Sequence, residues 1–163
     1  MEIIIRHIEK KDWRFLRDIY NEWRTENTYS VPVNTLSDLQ AKRKTNMLLK
    51  DGINLVAEDN GRVIGLLESS IGKLPKTKHT IYSNQMNVSK EYRRKGVGKK
   101  LFLELLILAK KNKIKMIYLH VVATNVPAIS LYKKIGFKKT GKVLNEYKFG
   151  NKYVDNVIMC KFL

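Results

Sequence analysis

The chain has 163 residues, a mass of 19.0 kDa and 44% hydrophobic residues, as expected of one globular domain over residues 1–163. A chain of this length buries roughly 70% of the surface that it exposes when unfolded, so its core needs no disulfide or metal. The single cysteine, Cys160, excludes an intrachain disulfide and a zinc site built from several cysteines, and we predict no metal. The longest apolar run, residues 101–109, is shorter than the ~20 residues that span a bilayer, and the start lacks a signal-peptide pattern, so we expect a cytoplasmic protein.

Charge is the unusual feature of the composition. The 32 basic and 15 acidic residues give a formal net charge of +17, and residues 101–163 carry 12 basic residues against 3 acidic ones. Such an excess suits a negatively charged partner, which would be nucleic acid, an anionic membrane surface or a polyphosphate ligand. The alternative is a lysine-rich surface that is simply solvated.

The first half of the chain predicts a strand, two helices and two strands joined by a turn. Residues 11–24 carry apolar side chains at three- and four-residue spacing, which is the stripe of an amphipathic helix. A weaker helical pattern covers residues 36–49, with Ser37 near its start as a possible cap. Asp59, Asn60 and Gly61 form a hairpin-turn sequence. The strands of this half are residues 3–8, 53–58 and 62–70.

The second half begins with a strand over residues 80–88 that is unusually polar at its centre. A helix over residues 98–112 is apolar on most faces, so we expect it to be buried between layers. Residues 116–122 form a continuous apolar strand of the kind found in parallel sheets. The remaining elements are a helix over 126–135 and strands over 137–142 and 154–162, the two strands being separated by a long connection. This order predicts one mixed α/β domain.

The stretch between the polar strand and the buried helix is the most informative part of the sequence. Gly96 and Gly98 allow the backbone to turn tightly and to approach a ligand closely. The start of the helix offers unpaired N–H groups and the positive end of the helix dipole. Six basic side chains lie within eleven residues: Lys90, Arg93, Arg94, Lys95, Lys99 and Lys100. These features favour a phosphate or pyrophosphate ligand over the alternative, a basic turn with a glycine cap.

Two common phosphate motifs are excluded by spacing. A P-loop requires a glycine five residues before Gly98 and a hydroxyl residue two after it, but Arg93 and Lys100 stand there. A dinucleotide-binding fingerprint requires a glycine three residues after Gly98, where the chain has Leu101.

The glycine stretch resembles a known family. Arg93-x-x-Gly96-x-Gly98, after a polar strand, is similar to the acyl-CoA signature Arg/Gln-x-x-Gly-x-Gly/Ala of the GCN5-related N-acetyltransferases (GNAT). Residues 125–137 resemble the family's second motif, Asn-x-x-Ala-x-x-Leu-Tyr-x-x-x-Gly-Phe, and the likeness covers the whole chain. Residues 153–159 are similar to the branch that includes phosphinothricin and amino-acid N-acetyltransferases. The resemblance implies a mixed α/β fold of about seven strands with helices on both faces and a splayed parallel pair that forms the acyl-CoA cleft.

The resemblance also implies that acetyl-CoA is the co-substrate. Its pyrophosphate would lie on the glycine turn, and its pantetheine arm would pair with the backbone of Met86 and Val88. The amide of Met86 or Asn87 would then face the thioester oxygen. The residues that the resemblance places against the cofactor are Met86, Asn87, Val88, Arg93, Arg94, Lys95, Gly96, Val97, Gly98, Lys99, Asn125 and Tyr132.

Tyr132 is the candidate general acid, because a neutral phenol can protonate the departing thiolate. The alternative is core packing beside Leu131 and Ile135. Some family members carry a glutamate on the cofactor strand as general base, but residues 81–88 contain no carboxylate. We name Glu68 as the candidate base. The alternatives are Glu22, Glu26, a water held by Asn84, or no base at all, whereas His120 and Asp155 are more simply explained as structural residues.

The acceptor site is expected between residues 21–34 and the connection over residues 143–153. Its candidate residues are Tyr29, Asn84, Tyr147 and Tyr153. Aromatic and amide groups suit a small polar amine or an amino acid, while a protein N-terminus or an aminoglycoside are the alternatives. A basic nucleic-acid- or ribosome-binding domain is the alternative from another class. Aromatic residues do not alternate with the basic ones, which disfavours nucleic acid. We expect no membrane partner and a possible homodimer.

Overall fold

The computed structural model describes residues 2–26 and 35–163. Its strands are β1 (Ile4–His7), β2 (Leu55–Asp59), β3 (Arg62–Ile71), β4 (Thr80–Val88), β5 (Met116–Val122), β6 (Lys138–Phe149) and β7 (Lys152–Phe162). Its helices are α1 (Trp13–Glu26), α2 (Asp38–Leu48), α3 (Val97–Lys111) and α4 (Val126–Lys134), with short 3-10 turns at Lys10–Asp12 and Lys90–Tyr92. No helix within the described residues is long and apolar enough to cross a membrane.

The strands form one mixed seven-stranded sheet in the order β1-β2-β3-β4-β5-β7-β6. Every neighbouring pair is antiparallel except β4 and β5, which are parallel. A parallel pair needs a crossover connection, and α3 supplies it. The predicted mixed α/β fold and its element order are therefore confirmed.

The helices cover the two faces of the sheet, and each face has its own core. Leu16 of α1 and Leu48 of α2 pack against Val56 and Leu66 on one face, which we call the α1/α2 face. The larger core lies on the opposite, α3/α4 face, and its members include Leu101, Phe102, Leu105, Ile117, Leu119 and Tyr132. Burial of side chains of this size contributes about 1.5–3 kcal/mol each relative to exposure.

Helix α3 is not buried between layers, and that expectation was wrong. Leu103 and Ile107, one turn apart on its outer side, are 42% and 56% exposed. The apolar composition of the helix therefore exceeds what its single packed face requires, so composition alone overestimated its burial.

Strands β4 and β5 pair only along their first halves. Their ladder runs from Thr80 opposite Met116 to Ser83 opposite Leu119 and then ends. The β3–β4 register shifts at the same level, where Asn84 is the additional residue of a bulge. A bulge bends the strand that carries it. The second half of β4 therefore diverges from β5 and leaves a V-shaped cleft, as the family resemblance implied.

Strand β6 is much longer than predicted, and β7 begins two residues before the predicted start. The connection expected over residues 143–153 is instead a hairpin, in which β6 and β7 are joined by a tight turn at Gly150 with a φ of 58°. Most residues of β6 are exposed on both faces, so the strand has no hydrophobic alternation to detect. Its ladder with β7 is also irregular around Asn145, which has a φ of 54°.

Candidate functional site

Beyond Ser83, the edge of β4 that faces the cleft has no strand partner among the described residues. Gly65 of β3 lies opposite Val88, and the Ser89 amide donates to the Ile64 carbonyl at 2.9 Å. Hydrogen-bonded and non-hydrogen-bonded pairs alternate along an antiparallel ladder. The N–H and C=O groups of Val88, and by alternation those of Met86, therefore point away from β3 and into the cleft.

Asn87 points the other way. Its position between Met86 and Val88 directs its backbone groups to β3, where it lies opposite Leu66. The geometry therefore selects Met86 over Asn87 as the residue whose amide faces the cleft. The side chain of Asn87 is buried, and neither of its polar atoms has a hydrogen-bond partner within the described part of the chain.

The predicted phosphate site lies just beyond this edge, at the start of α3. Gly96 has a φ of 82° and Arg94 a φ of 62°, so two left-handed residues shape the turn. The first helical bond runs from the Lys100 amide to the Gly96 carbonyl at 3.0 Å, and the amides of the three residues before Lys100 have no helical acceptor. A Cβ atom built on Gly96 would meet nothing within 4 Å, so the space above the turn is open to a ligand.

Gly98 has a packing role that the sequence motif did not reveal. A Cβ atom at this position would lie 3.0 Å from Cε of Met86 and 3.5 Å from Cδ2 of Leu131. The absence of a side chain lets the Met86 thioether fit between α3 and α4. This contact brings the helix N-terminus close to the cleft edge of β4.

The basic residues of the turn differ in their contacts. The Arg93 Nε donates to the Val88 carbonyl at 2.9 Å, so this side chain ties the turn to the end of β4. Lys95 Nζ lies 5.3 Å from the centroid of the Tyr92 ring. Arg94 and Lys99 are exposed beside the N-terminus of α3. Together they give this end of the cleft a positive field that favours a phosphate.

Helix α4 presents the two residues of the second motif. The Asn125 Oδ1 accepts from the Ala128 amide at 3.2 Å, so Asn125 caps the helix. The Tyr132 ring packs edge-on against Phe102, with centroids 5.1 Å apart, and its hydroxyl makes no hydrogen bond to a described residue. Burial raises the pKa of Tyr132 and keeps the phenol protonated at neutral pH. Its ring thus belongs to the core while its hydroxyl stays available as a donor.

Glu68 lies on the α1/α2 face and is already engaged. It is 2% exposed, its carboxylate accepts from the Tyr20 hydroxyl, and Lys44 Nζ lies 2.8 Å from its Oε2. The Tyr20 hydroxyl also lies 3.1 Å from Gln85 Oε1. Burial, and then the charge of Glu68, raise the pKa of Tyr20. An acceptor amine would have to displace these partners to reach the Glu68 carboxylate.

A cluster of side chains on β5, β7 and β6 was missed by the sequence analysis. The Tyr118 hydroxyl lies 2.6 Å from His120 Nε2, and Asn156 Nδ2 lies 2.8 Å from His120 Nδ1. Asn156 Nδ2 also lies 3.4 Å from the Tyr147 hydroxyl. Tyr118 and His120 are two residues apart on a strand and so share a face. That spacing was the available signal, but the strand was interpreted as uniformly apolar.

The predicted acceptor residues are only partly brought together. Tyr29 lies outside the described residues. Asn84, at the bulge, donates to Ser70 Oγ at 3.2 Å. Tyr147 joins the cluster just described, whereas Tyr153, which is 60% exposed, lies on the opposite face of the β6–β7 hairpin.

Asp155 has a local structural role. It accepts from the Asn145 amide and pairs with Lys142, each at 3.0 Å, and these contacts lower the pKa of its carboxyl group. Among residues 2–26 and 35–163, no three histidine, cysteine, aspartate or glutamate side chains group as metal ligands would.

Comparison with known proteins identifies related acetyltransferases. The family described as "Acetyltransferase (GNAT) family" matches residues 13–137. The L-amino acid N-acetyltransferase AaaT of Escherichia coli (strain K12) is 28% identical over 162 residues, which covers 98% of each chain. An N-alpha-acetyltransferase of Sulfurisphaera tokodaii is 37% identical over 101 residues, covering 56% of this chain and 59% of that protein. The fold superposes on a phosphinothricin acetyltransferase of Sinorhizobium meliloti, solved with AcCoA, with a TM-score of 0.89 at 21% identity, covering 100% of this chain and 89% of that one.

Proposed function

Because the chain belongs to the GNAT family of N-acetyltransferases, we propose that it transfers the acetyl group of acetyl-CoA to the primary amine of a small molecule or an amino acid. The observation that carries this proposal is the open edge of β4 beside the N-terminus of α3. A strand edge in a cleft invites pairing with another backbone. The amide groups of a pantetheine arm offer such a partner, and the pyrophosphate suits the turn at the helix start.

In this proposal the backbone supplies the binding site and part of the catalysis. The amides that follow Gly96 hold the pyrophosphate, and the N–H and C=O groups of Met86 and Val88 hold the pantetheine arm. The Met86 amide donates to the thioester oxygen as negative charge develops there. Loss of one such donor typically costs about 10²–10³ in rate.

Tyr132 is the proposed general acid. Its hydroxyl protonates the sulfur of coenzyme A as the carbon–sulfur bond breaks, and its burial supports this role because it keeps the phenol neutral until that moment. Direct attack by the amine on the thioester then needs no covalent intermediate on the enzyme.

The acceptor class rests on the relatives and on the open face beside the cleft. The E. coli relative that aligns over 98% of the chain acts, by its name, on L-amino acids, which favours an amino acid or similar small amine. The α-amine of a protein N-terminus is the second candidate, because the 37% identical S. tokodaii protein is named for that activity. Cytoplasmic location and a homodimer remain predictions, and the mass of the purified protein in solution tests the latter.

The decisive experiment measures release of free coenzyme A thiol from acetyl-CoA with a panel of acceptors. The panel contains the twenty amino acids, a peptide with a free N-terminus, an aminoglycoside and a polyamine. We expect turnover with one or more amino acids or small amines, and turnover with the peptide alone would select the second candidate. Acetyl-CoA at 100 times its dissociation constant should add about 2.7 kcal/mol of stability in a thermal shift. Stabilisation by a DNA duplex instead, fading as salt rises, would favour the nucleic-acid-binding alternative.

A further inference from the structure

The side chains of Tyr118, His120 and Asn156 form a continuous hydrogen-bonded chain next to the cleft. Both imidazole nitrogens are engaged, Nε2 with the Tyr118 hydroxyl at 2.6 Å and Nδ1 with the Asn156 amide at 2.8 Å. Asn156 is 1% exposed, whereas His120 is exposed. The hydrogen-bonded chain is therefore anchored in the protein at Asn156 and open to solvent at His120. A histidine in a packed core would not show this combination.

The hydrogen-bonded chain of Tyr118, His120 and Asn156 lies where the cleft begins. Tyr118 pairs with Tyr82 in the last rung but one of the β4–β5 ladder, and His120 is the first residue of β5 beyond its end. Ile117, Leu119 and Val121 belong to the core of the α3/α4 face, so Tyr118 and His120 lie on the other face of the sheet. The acyl end of a cofactor that is anchored at α3 and runs back along β4 lies towards this point.

The positions of the hydrogens in this hydrogen-bonded chain depend on which atom of the Asn156 amide faces His120. Its oxygen and nitrogen have nearly the same shape, so the hydrogen-bond network decides which of them faces Nδ1. The structure has Nδ2 towards Nδ1; with the amide rotated by 180°, Oδ1 accepts Nδ1–H, and Nε2 becomes the acceptor for the Tyr118 hydroxyl. In this arrangement Nε2 is the imidazole nitrogen that can take up a proton.

We propose that Tyr118 and His120, held by Asn156, remove the proton from the acceptor ammonium. This inference rests on the proposed acetyl transfer. The amine gives a proton to the Tyr118 oxygen as Tyr118 passes its own to Nε2, and the imidazolium later releases it to solvent. The nitrogen then bonds to the acetyl carbon and the carbon–sulfur bond breaks. The sulfur takes the Tyr132 proton, and the second proton from the nitrogen restores Tyr132.

Tyr118 and His120 are better placed than Glu68 to remove the proton from the acceptor amine. The Glu68 carboxylate is buried and engaged by both Tyr20 and Lys44, so it is closed to an incoming amine. An imidazole ordinarily changes its charge between about pH 5 and pH 8, which is the range in which a general base is most useful. Asn156 acts here as a positioning residue, because it fixes the imidazole and does not face the substrate.

Other titratable groups that face the pair lie on three neighbouring strands. Tyr82 of β4 packs edge-on against Tyr118 with centroids 5.6 Å apart, Cys160 of β7 lies opposite it, and Glu146 of β6 acts on it through its charge. Tyr147 of β6 contacts Asn156. Burial first, and then these neighbours, raise the pKa of Tyr118, so its phenol is neutral when the amine arrives.

The test compares His120→Gln with His79→Gln, a matched change at an exposed histidine before β4. Single-turnover rates are measured from pH 6 to pH 10 with an acceptor that the wild-type protein uses. We expect the His120 variant to lose about 10²-fold or more of the rate at neutral pH. Its acetyl-CoA affinity stays unchanged. The difference in rate from the wild-type protein narrows as the pH rises, because the acceptor ammonium then loses its proton without a base. The His79 variant keeps the wild-type rate.

Two results would overturn the inference while the proposed function stands. One is a wild-type rate for His120→Gln at neutral pH. The other is a deficit that stays constant up to pH 10, which would indicate a role in binding or packing. If His120→Gln does not fold, the same measurement is made on Tyr118→Phe, which keeps the ring. We expect the same pH dependence of the single-turnover rate, with a smaller fall at neutral pH. A wild-type protein that binds acetyl-CoA but acetylates no amine would reject the proposed function itself.

Discussion

The two sides of the cleft between β4 and β5 differ in the groups that they offer, which are backbone amides on one side and side chains on the other. On the proposed cofactor side the available groups are backbone amides, set by a glycine turn, a helix start and the part of the β4 edge beyond the β4–β5 ladder. On the proposed acceptor side they are side chains from β5, β6 and β7 that meet on the face of the sheet opposite the α3/α4 core. A backbone site can bind the same cofactor in many related chains, whereas a side-chain site can change with each acceptor.

The largest effect is expected at Tyr132, the proposed general acid for the leaving group. Tyr132→Phe removes one hydroxyl and almost no volume, so the packing on Phe102 and Phe137 should survive. We expect the single-turnover rate to fall by about 10²–10⁴-fold while acetyl-CoA affinity changes little. An unchanged rate from neutral to alkaline pH, or a fall caused only by lost cofactor binding, would remove Tyr132 from the chemistry.

The next largest effect concerns the glycine turn. Gly96→Val should weaken acetyl-CoA binding by about 100-fold, because the new side chain enters the space open to the pyrophosphate and strains a left-handed residue by about 1–3 kcal/mol. Gly61→Val is the matched control: Gly61 has a φ of 77°, nothing within 4 Å of its Cβ position, and a place in the β2–β3 turn. Calorimetric titration and thermal melts should show similar destabilisation in both variants and lost binding only in the first.

Gly98 is a less direct probe than Gly96. Valine at position 98 would collide with Met86, and its effect would mix cofactor binding with the packing of α3 against β4.

Equal loss of affinity in the Gly96 and Gly61 variants would contradict a phosphate site at the turn.

A moderate effect is expected at Asn125. Asn125→Ala removes the cap of α4 and should cost about 1 kcal/mol of unfolding free energy, as Ser37→Ala should at the cap of α2. If Asn125 also contacts the cofactor, only its variant loses acetyl-CoA affinity beyond what the stability change explains. Chemical denaturation and titration of both variants separate the two contributions, and equal affinities would leave Asn125 as a cap alone.

The smallest effects are expected from the basic side chains. Lys99→Ala removes an exposed charge and should weaken acetyl-CoA binding by about 0.2–1 kcal/mol, an effect that disappears at high salt. Arg93→Ala also removes the bond to the Val88 carbonyl, so part of its effect should persist at high salt. Affinities measured at two salt concentrations test this difference. Identical salt dependence would show that Arg93 acts through charge alone.

The sequence predicted the backbone structure of the proposed cofactor side well, because the rules that set it are local. Glycine at a positive φ, a helix start and the Asn125 cap each depend on a few consecutive residues, and the bounds of β4 and β5 were predicted without error. The choice between the Met86 and Asn87 amides needed the register with β3, which no local pattern contains.

The acceptor side could not be predicted in the same way. Tyr118 and His120 meet Asn156 only because β5 pairs with β7, some 36 residues later in the chain. The β6 strand that contributes Tyr147 is exposed on both faces, so its polar sequence was mistaken for a long connection. Glu68 matched the expected chemistry by residue type, but its partners Tyr20 and Lys44 come from helices on the α1/α2 face.

The most direct test of the backbone-built site is residue-resolved amide hydrogen exchange with and without acetyl-CoA. We expect acetyl-CoA to slow exchange at Met86 and Val88 and at the first amides of α3, because these groups gain acceptors from the cofactor. The Asn87 amide, which points to β3, should change far less than its two neighbours. Protection confined to other parts of the chain, or equal protection at all three residues of β4, would exclude a cofactor site on the cleft edge of β4.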